Sequence, residues 1–272
     1  VLLFNVSADD VRLRQEDCRV NVLHTAPDIA MLADALAQYL VWKKWQRWLV
    51  VSGVFPEDQA YRDAIRRAAK RFGAKIVDER EYEETPGARR SDTGQQQIQQ
   101  QLPVFTQAAP AYDVLIAADQ REVFGPYRPF RTWDPRPVAG TAGLKAMSWH
   151  PAHEQWGATQ MQNRFQRFAN RFMLPRDHQA WIAVRAIGEA ASRTQSGDYG
   201  PIDAHIRGDS FELAAFKGQK VTFRKWDGQL RQPVIIAGAE LPVSTSPQRG
   251  FLHEHEDVDT LGIDAPETKC KL

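Results

Sequence analysis

Near the C-terminus the chain reads HEHEDVDTLGIDAPETKC (253–270), eighteen residues that hold two histidines, six carboxylates and one of the two cysteines. Hard cations such as Ca²⁺ take carboxylate and carbonyl oxygens. An EF-hand loop wants them at its first, third and fifth positions, with glycine at the sixth and glutamate at the twelfth. Counted from Asp257, the tail supplies Asp257, Asp259 and Gly262, but Leu261 stands at the fifth position and Thr268 at the twelfth. Glu267 falls one residue short. The remaining metal reading is a Ca²⁺- or lanthanide-type ion held by Asp257, Asp259, Asp264 and Glu267 in another geometry. The competing reading is a solvated terminus anchored at its end.

Other motifs offer less chemistry. HPAHEQWGA (150–158) begins like a zinc-protease HExxH helix, but Gly157 stands where the second histidine belongs. GxSxG, GxxxxGK[ST] and GxGxxG are all missing, and two cysteines at opposite ends cannot form CxxC. No catalytic residues are expected, and no cofactor. Cys18 and Cys270 instead fit one disulfide formed in an oxidising compartment. Closing so long a loop is worth about 4–5 kcal/mol in the chain-entropy model, and often less in practice.

Elements must position any such groups. Thr25 and Pro27 suit a helix start, and Ile29, Leu32, Leu36, Tyr39 and Leu40 recur at helical spacing. Trp42, Trp45 and Trp48 follow three apart, a stripe expected to pack because tryptophan carries large apolar surface. Leu49–Val51 reads as a buried strand, 58–72 as a helix closed by Gly73, and 75–77 as the next strand. This is a β-α-β unit and predicts a parallel sheet. The polar stretch 83–101, with QQQIQQQ, is a linker or, through Ile98, Leu102 and Phe105, a helix. YDVLIAAD (112–119) and RPVAGTAGL (136–144) supply further strands. Two helices follow at 157–172 and 177–192, the second with Trp181, Val184, Ile187 and Ala191 inward. KVTFRKWDGQLRQPVIIA then alternates about Asp227-Gly228, a hairpin signal.

In open α/β sheets ligands bind beyond the carboxyl ends of strands. That rule selects Ser7, Asp9, Phe55, Asp119, Gln120 and Thr141 as candidate ligand-binding residues. Lysine and arginine number 35 against 34 acids, a net charge of +1 that gives no case for nucleic acid. No apolar run approaches the roughly 20 residues of a membrane span. The chain opens at Val1 with no visible signal peptide, as expected of a processed chain or a piece of a longer one.

HTAPDIAMLADALAQYL and WLVVSGVFPEDQAYRDAIRRAAKRFGAKIV resemble the second lobe of type I periplasmic binding proteins, the branched-chain amino-acid-binding group. HEQWGATQMQNRFQRFANRFMLPRDHQAWIAVRAIGEA, the hairpin and DTLGIDAPETKC resemble the ABC-transporter substrate-binding proteins associated with alcohol dehydrogenases that use pyrroloquinoline quinone (PQQ). The resemblance implies an α/β fold of two Rossmann-like lobes with parallel sheets and a ligand cleft closed by a hinge. It implies a periplasmic location, a small-molecule or ion ligand and ABC-transporter membrane subunits as partners. Residues 1–25 and 146–205 would form the first lobe, with its N-terminal part apparently incomplete. Residues 26–145 and 206–272 would form the second. The amino-acid-binding residues of the wider family find no match here. The alternative function is a metal carrier or sensor serving the dehydrogenase.

Overall fold

The computed structural model describes residues 1–83 and 93–272, without the side chains of residues 93–97 and 129–130. Residues 84–92, part of the polar linker-or-helix stretch, lie outside the described residues. The chain divides into two compact units. Unit 1 holds Val1–Leu32, Met147–Ile235 and Glu240–Leu272; unit 2 holds Ala33–Ala146 and Ile236–Ala239.

Unit 1 starts with two short parallel strands, β1 (Leu3–Asn5) and β2 (Val22–His24), before α1 (Ile29–Trp42), whose last ten residues belong to unit 2. Unit 2 continues with β3 (Arg47–Ser52), α2 (Pro56–Phe72), β4 (Lys75–Glu81), α3 (Thr93–Thr106), β5 (Val114–Ala118), the short α4 (Arg128–Arg131) and β6 (Val138–Gly140). Its sheet has the order β4-β3-β5-β6 with every pairing parallel, as the β-α-β pattern predicts. Gly73 closes α2 with φ 78°, the left-handed cap that glycine adopts without a Cβ clash. Leu49, Val51, Leu115 and Ala117 share a buried cluster with Ile98 and Leu102 of α3. Trp48, Val50, Val114 and Ile116, at the alternate positions, are buried too. On α1, buried Asp34 holds Arg67 and Arg71 of α2 at 3.0 Å each. The tryptophan stripe breaks up: α1 ends at Trp42, which is exposed, and only Trp48 enters the core, its indole donating to the Trp45 carbonyl.

The chain passes through β7 (Lys145–Met147) back into unit 1 and forms α5 (Ala158–Ala169), α6 (Pro175–Thr194) and α7 (Tyr199–Arg207). Strands β8 (Leu213–Ala214), β9 (Lys220–Phe223), β10 (Leu230–Arg231), β11 (Val234–Ala237) and β12 (Pro242–Ser246) follow. The sheets β10-β9-β8 and β12-β11-β7 take up the remaining strands. The expected hairpin is β9–β10, turning at Asp227-Gly228 with Phe223 opposite Leu230.

Two expectations change. Residues 206–235 and 240–272 group with unit 1, not with the lobe of residues 26–145. The reason is burial: Phe211, Leu213, Val221, Phe223 and Leu230 share one cluster with Leu23, Ile182, Ala186 and Ala190. Helix α6 is turned in part from its expected face: Trp181 and Ala191 pack against this cluster as expected, but Val184 and Ile187 do not. It buries Ile182, Ala183, Ala186 and Ala190 and leaves Val184 72% and Ile187 41% exposed. The small alanines let the helix sit close, and an α6 apolar on two sides cannot be oriented from periodicity alone.

A second cluster of unit 1 surrounds Trp149, which stacks on His178 with ring centroids 4.2 Å apart. Beside it Lys217 is fully buried, its Nζ donating to Gln232 Oε1 at 2.6 Å and to the Pro233 carbonyl at 2.9 Å. Burial pushes this ammonium down to about 7 from 10.5. Between those values the unfolded chain binds more protons than the folded one, so this group makes stability rise with pH. Lys217→Met removes the effect. The variant's Tm advantage over the parent is expected to shrink as pH climbs from about 7 towards 10, as scanning calorimetry will show. An advantage constant with pH would refute the assignment.

Cys18 and Cys270 are disulfide-bonded, with Cα atoms 5.7 Å apart. Cys18→Ser with Cys270→Ser is expected to lower unfolding free energy by about 2–4 kcal/mol. Denaturant titration measures the loss. Two free thiols in intact-mass analysis of native protein would contradict the bond.

Candidate functional site

The unit 2 strand order β4-β3-β5-β6 reverses direction between β3 and β5. Loops leaving the carboxyl ends of those two strands diverge there and leave a crevice for ligands. Four of the sequence candidates, Phe55, Asp119, Gln120 and Thr141, follow β3, β5 and β6 at this end of the sheet.

Much of their polarity is spent on the loops themselves. Asp119 is buried, and its carboxylate accepts from the backbone N–H groups of Val123 (2.9 Å), Phe124 (2.7 Å) and Gly125 (2.6 Å). The Thr141 hydroxyl accepts from the Asp119 N–H at 3.0 Å and donates to the Ala117 carbonyl at 3.2 Å. Asp58, in the first turn of α2, ties the two diverging loops together: its carboxylate accepts from Gln120 N–H at 2.6 Å and Phe55 N–H at 3.3 Å. Burial pushes its carboxyl above the usual range. Gly53 leaves room for that carboxylate, because a Cβ there would stand 2.2 Å from Asp58 Oδ2. Asp119 and Thr141 are therefore loop-builders, whereas the half-buried Phe55 ring and the exposed Gln120 side chain face outward chemistry. The Arg121 guanidinium lies 3.7 Å from the Phe55 ring centroid and pairs with Glu57 at 2.6 Å.

Sequence reasoning missed two groups. Ser52, the last residue of β3, is buried, and among the described residues its hydroxyl has no hydrogen-bond partner. Arg128 is fully buried, and among the described residues none of its three guanidinium nitrogens has a hydrogen-bond partner. It packs against Phe124 (4.3 Å to the ring centroid), Phe105 (5.5 Å) and Tyr82 (6.0 Å). Burial lowers its pKa to about 9, against the pull of Asp119. Phe124 is four residues away, but Tyr82 and Phe105 come from distant segments, and no local spacing signals a buried arginine there. An uncompensated buried charge is costly. Arg128→Met is accordingly expected to raise the ligand-free unfolding free energy by roughly 1–4 kcal/mol. A lower value in denaturant titration would show that the cation stabilises the free protein.

Ser7 and Asp9 follow β1 in unit 1. The Asn5 side chain folds this loop, accepting from the N–H groups of Ser7 (3.1 Å) and Ala8 (2.8 Å). Ser7 is exposed; Asp9 is partly buried, which raises its carboxyl pKa against the pull of Arg14. Arg14, also missed, is buried and holds the loop through the Ala8 (2.9 Å) and Asp10 (3.0 Å) carbonyls.

The tail forms no cation cage. Asp259 is buried between Arg224 (2.8 Å) and Arg231 (2.9 Å). Asp264 and Glu267 cap one short turn, and Asp264 also meets His253 at 3.2 Å. Asp257 is exposed. Among the described residues no group of three or more His, Cys, Asp or Glu side chains could hold a metal ion. Of the four carboxylates, Asp259 is thus paired with arginines and Asp264 with His253.

No family model matches the chain, and no curated protein matches it in sequence. Solved structures match its fold. The Brucella ovis leucine-, isoleucine-, valine-, threonine- and alanine-binding protein superposes with TM-score 0.76 at 14% identity, over 100% of this chain and 73% of its own. A branched-chain amino acid ABC transporter periplasmic ligand-binding protein from Burkholderia xenovorans gives 0.75 at 14% identity, over 99% and 74%. A Rhodopseudomonas palustris ABC-transporter solute-binding protein in complex with benzoate gives 0.64 at 10% identity, over 99% and 74%. The chain thus has the α/β fold of type I periplasmic binding proteins and spans about three-quarters of the length of these neighbours.

Proposed function

We propose that this chain is the periplasmic solute-binding component of an ABC transporter and not an enzyme. The observation that carries the reading is the fold match over 99–100% of the chain to proteins that bear this role. The loops at the sheet reversal of unit 2 stand where such a fold takes ligands. The disulfide suits an oxidising compartment. Among the described residues no helix is long and apolar enough to cross a membrane, so membrane subunits would be separate partners. The link to PQQ-dependent alcohol oxidation rests on sequence resemblance alone. Ser7, Asp9, Phe55 and Gln120 are the proposed ligand contacts; Asp119 and Thr141 hold the loops that carry them.

A thermal-shift titration tests this with amino acids, benzoate, short alcohols, their acids and the quinone. One organic solute is expected to give a saturable rise in Tm. Phe55→Ala or Gln120→Ala should weaken its binding about tenfold, or about 1.4 kcal/mol. Lobe closure, which the resemblance implies, should appear as a ligand-dependent fall in the radius of gyration by solution scattering. Absence of any saturable organic ligand across the panel would count against the proposal.

A further inference from the structure

The segment that failed as a zinc motif builds something else. In unit 1, Ala152, His153, Glu154, Gln155 and Trp156 line one side of a 500 Å³ cavity, and Leu241–Thr245, including most of β12, line the other. This size lies in the range of small-molecule sites. We propose that this cavity binds a small organic cation of the substituted-ammonium class, with Trp156 as the aromatic platform and Glu154 as the counter-charge.

Trp156 is not placed as a core residue. It is 50% exposed, and its backbone is left-handed at φ 54° and ψ 33°. A bulky side chain adopts that region only where its surroundings over-determine it. Those surroundings are specific. Gly157 is left-handed at φ 83°, Phe216 at φ 58° and Gly218 at φ 82°. The indole lies against Gly218, where a Cβ would come within 2.6 Å of Cε2 and Cζ2. The His153 ring is 5.5 Å from the indole, and its Nε2 is 3.1 Å from the Phe216 carbonyl. Strain is thus accepted to hold one indole at a cavity wall with half its surface open.

The lining chemistry selects the ligand. Glu154 is exposed, and among the described residues its carboxylate has no hydrogen bond or ion pair. No lysine or arginine lines the cavity. Burial keeps His153 below its ordinary pKa and so neutral near pH 7. The nearby Lys217 directs its Nζ to Gln232 and Pro233 in the interior. Ser244, Thr245 and Gln155 add polar groups, and Leu241, Pro242 and Val243 add apolar surface. An unpaired carboxylate excludes anions and would be desolvated without return by a purely apolar guest. A cation with alkyl substituents satisfies both the carboxylate and the indole face. This site is independent of the proposed transport ligand and of the loops in unit 2.

Isothermal titration of the full chain with tetramethylammonium and choline tests the proposal, with 3,3-dimethylbutan-1-ol as the neutral isostere of choline. Tetramethylammonium is expected to bind saturably, to change Trp fluorescence, and to weaken as salt is raised. Glu154→Gln and Trp156→Ala should each weaken it at least about fivefold. Glu154→Gln, an exposed substitution, should keep the parent's Tm and so report on charge alone. Equal binding of the neutral isostere, unchanged affinity in Glu154→Gln, or no saturable binding of either cation would each overturn the proposal.

Discussion

Unit 1 is assembled from three stretches of chain that unit 2 separates in sequence, and everything it does depends on their being tied together. Long-range ties between each pair of segments contribute to this. Arg14 reaches Gln229 Oε1 at 3.0 Å and joins the first segment to the second. Arg224 and Arg231 hold Asp259 and join the second to the third. The disulfide Cys18–Cys270 joins the third back to the first. Each tie is buried or covalent, which matters because exposed ion pairs contribute little. Arg224 also donates to the Leu261 carbonyl at 2.7 Å, so one guanidinium satisfies both a carboxylate and the backbone of the tail. The apolar cluster around Leu23, Ile182 and Leu230 supplies the non-directional part of the same assembly.

These ties also explain what the sequence could reveal. Local order was legible because its signals are local. The β-α-β repeat, the Gly73 cap and the Asp227-Gly228 turn each follow from neighbouring residues, and each recurs in the structure. The grouping of 206–235 and 240–272 was not legible, because it depends on tertiary contacts that no local spacing encodes, among them those of 206–235 with Leu23, Ile182, Ala186 and Ala190. The tail shows the same limit in chemical form. Its carboxylates look like metal ligands by composition. The partners of Asp259 are arginines 28 and 35 residues away, and no spacing rule within the tail points to them.

The candidate site divides along the same line. Strand ends can be read from apolar runs, so Phe55, Asp119, Gln120 and Thr141 are found by position. Position does not tell which of them is already occupied. Asp119 accepts three backbone N–H bonds and is a poor recognition group, since a ligand would have to displace partners it already holds. Asp58 is a scaffold for the same reason. The groups with unspent capacity are different: the Ser52 hydroxyl and the Arg128 guanidinium, both buried, and both outside the sequence candidates.

That division bears on how a binding protein of this fold acquires a ligand preference. Loops at the sheet reversal must be rigid enough to be pre-organised, and rigidity here comes from carboxylates that bind backbone rather than solute. Groups whose hydrogen bonds are unmade in the free protein keep capacity that a solute could use. An unmade hydrogen bond on a buried group weakens the free state, so a ligand that completes it gains more than an exposed contact could give. Among the described residues of unit 2, Arg128 carries such a deficit, with a charge, three unpartnered guanidinium nitrogens and the rings of Phe124, Phe105 and Tyr82 around it. An anionic group brought to it would relieve a cost already present in the free chain, whereas a neutral solute would leave that cost in place. Selectivity between the two would then come from the free protein's own instability as much as from the contact formed.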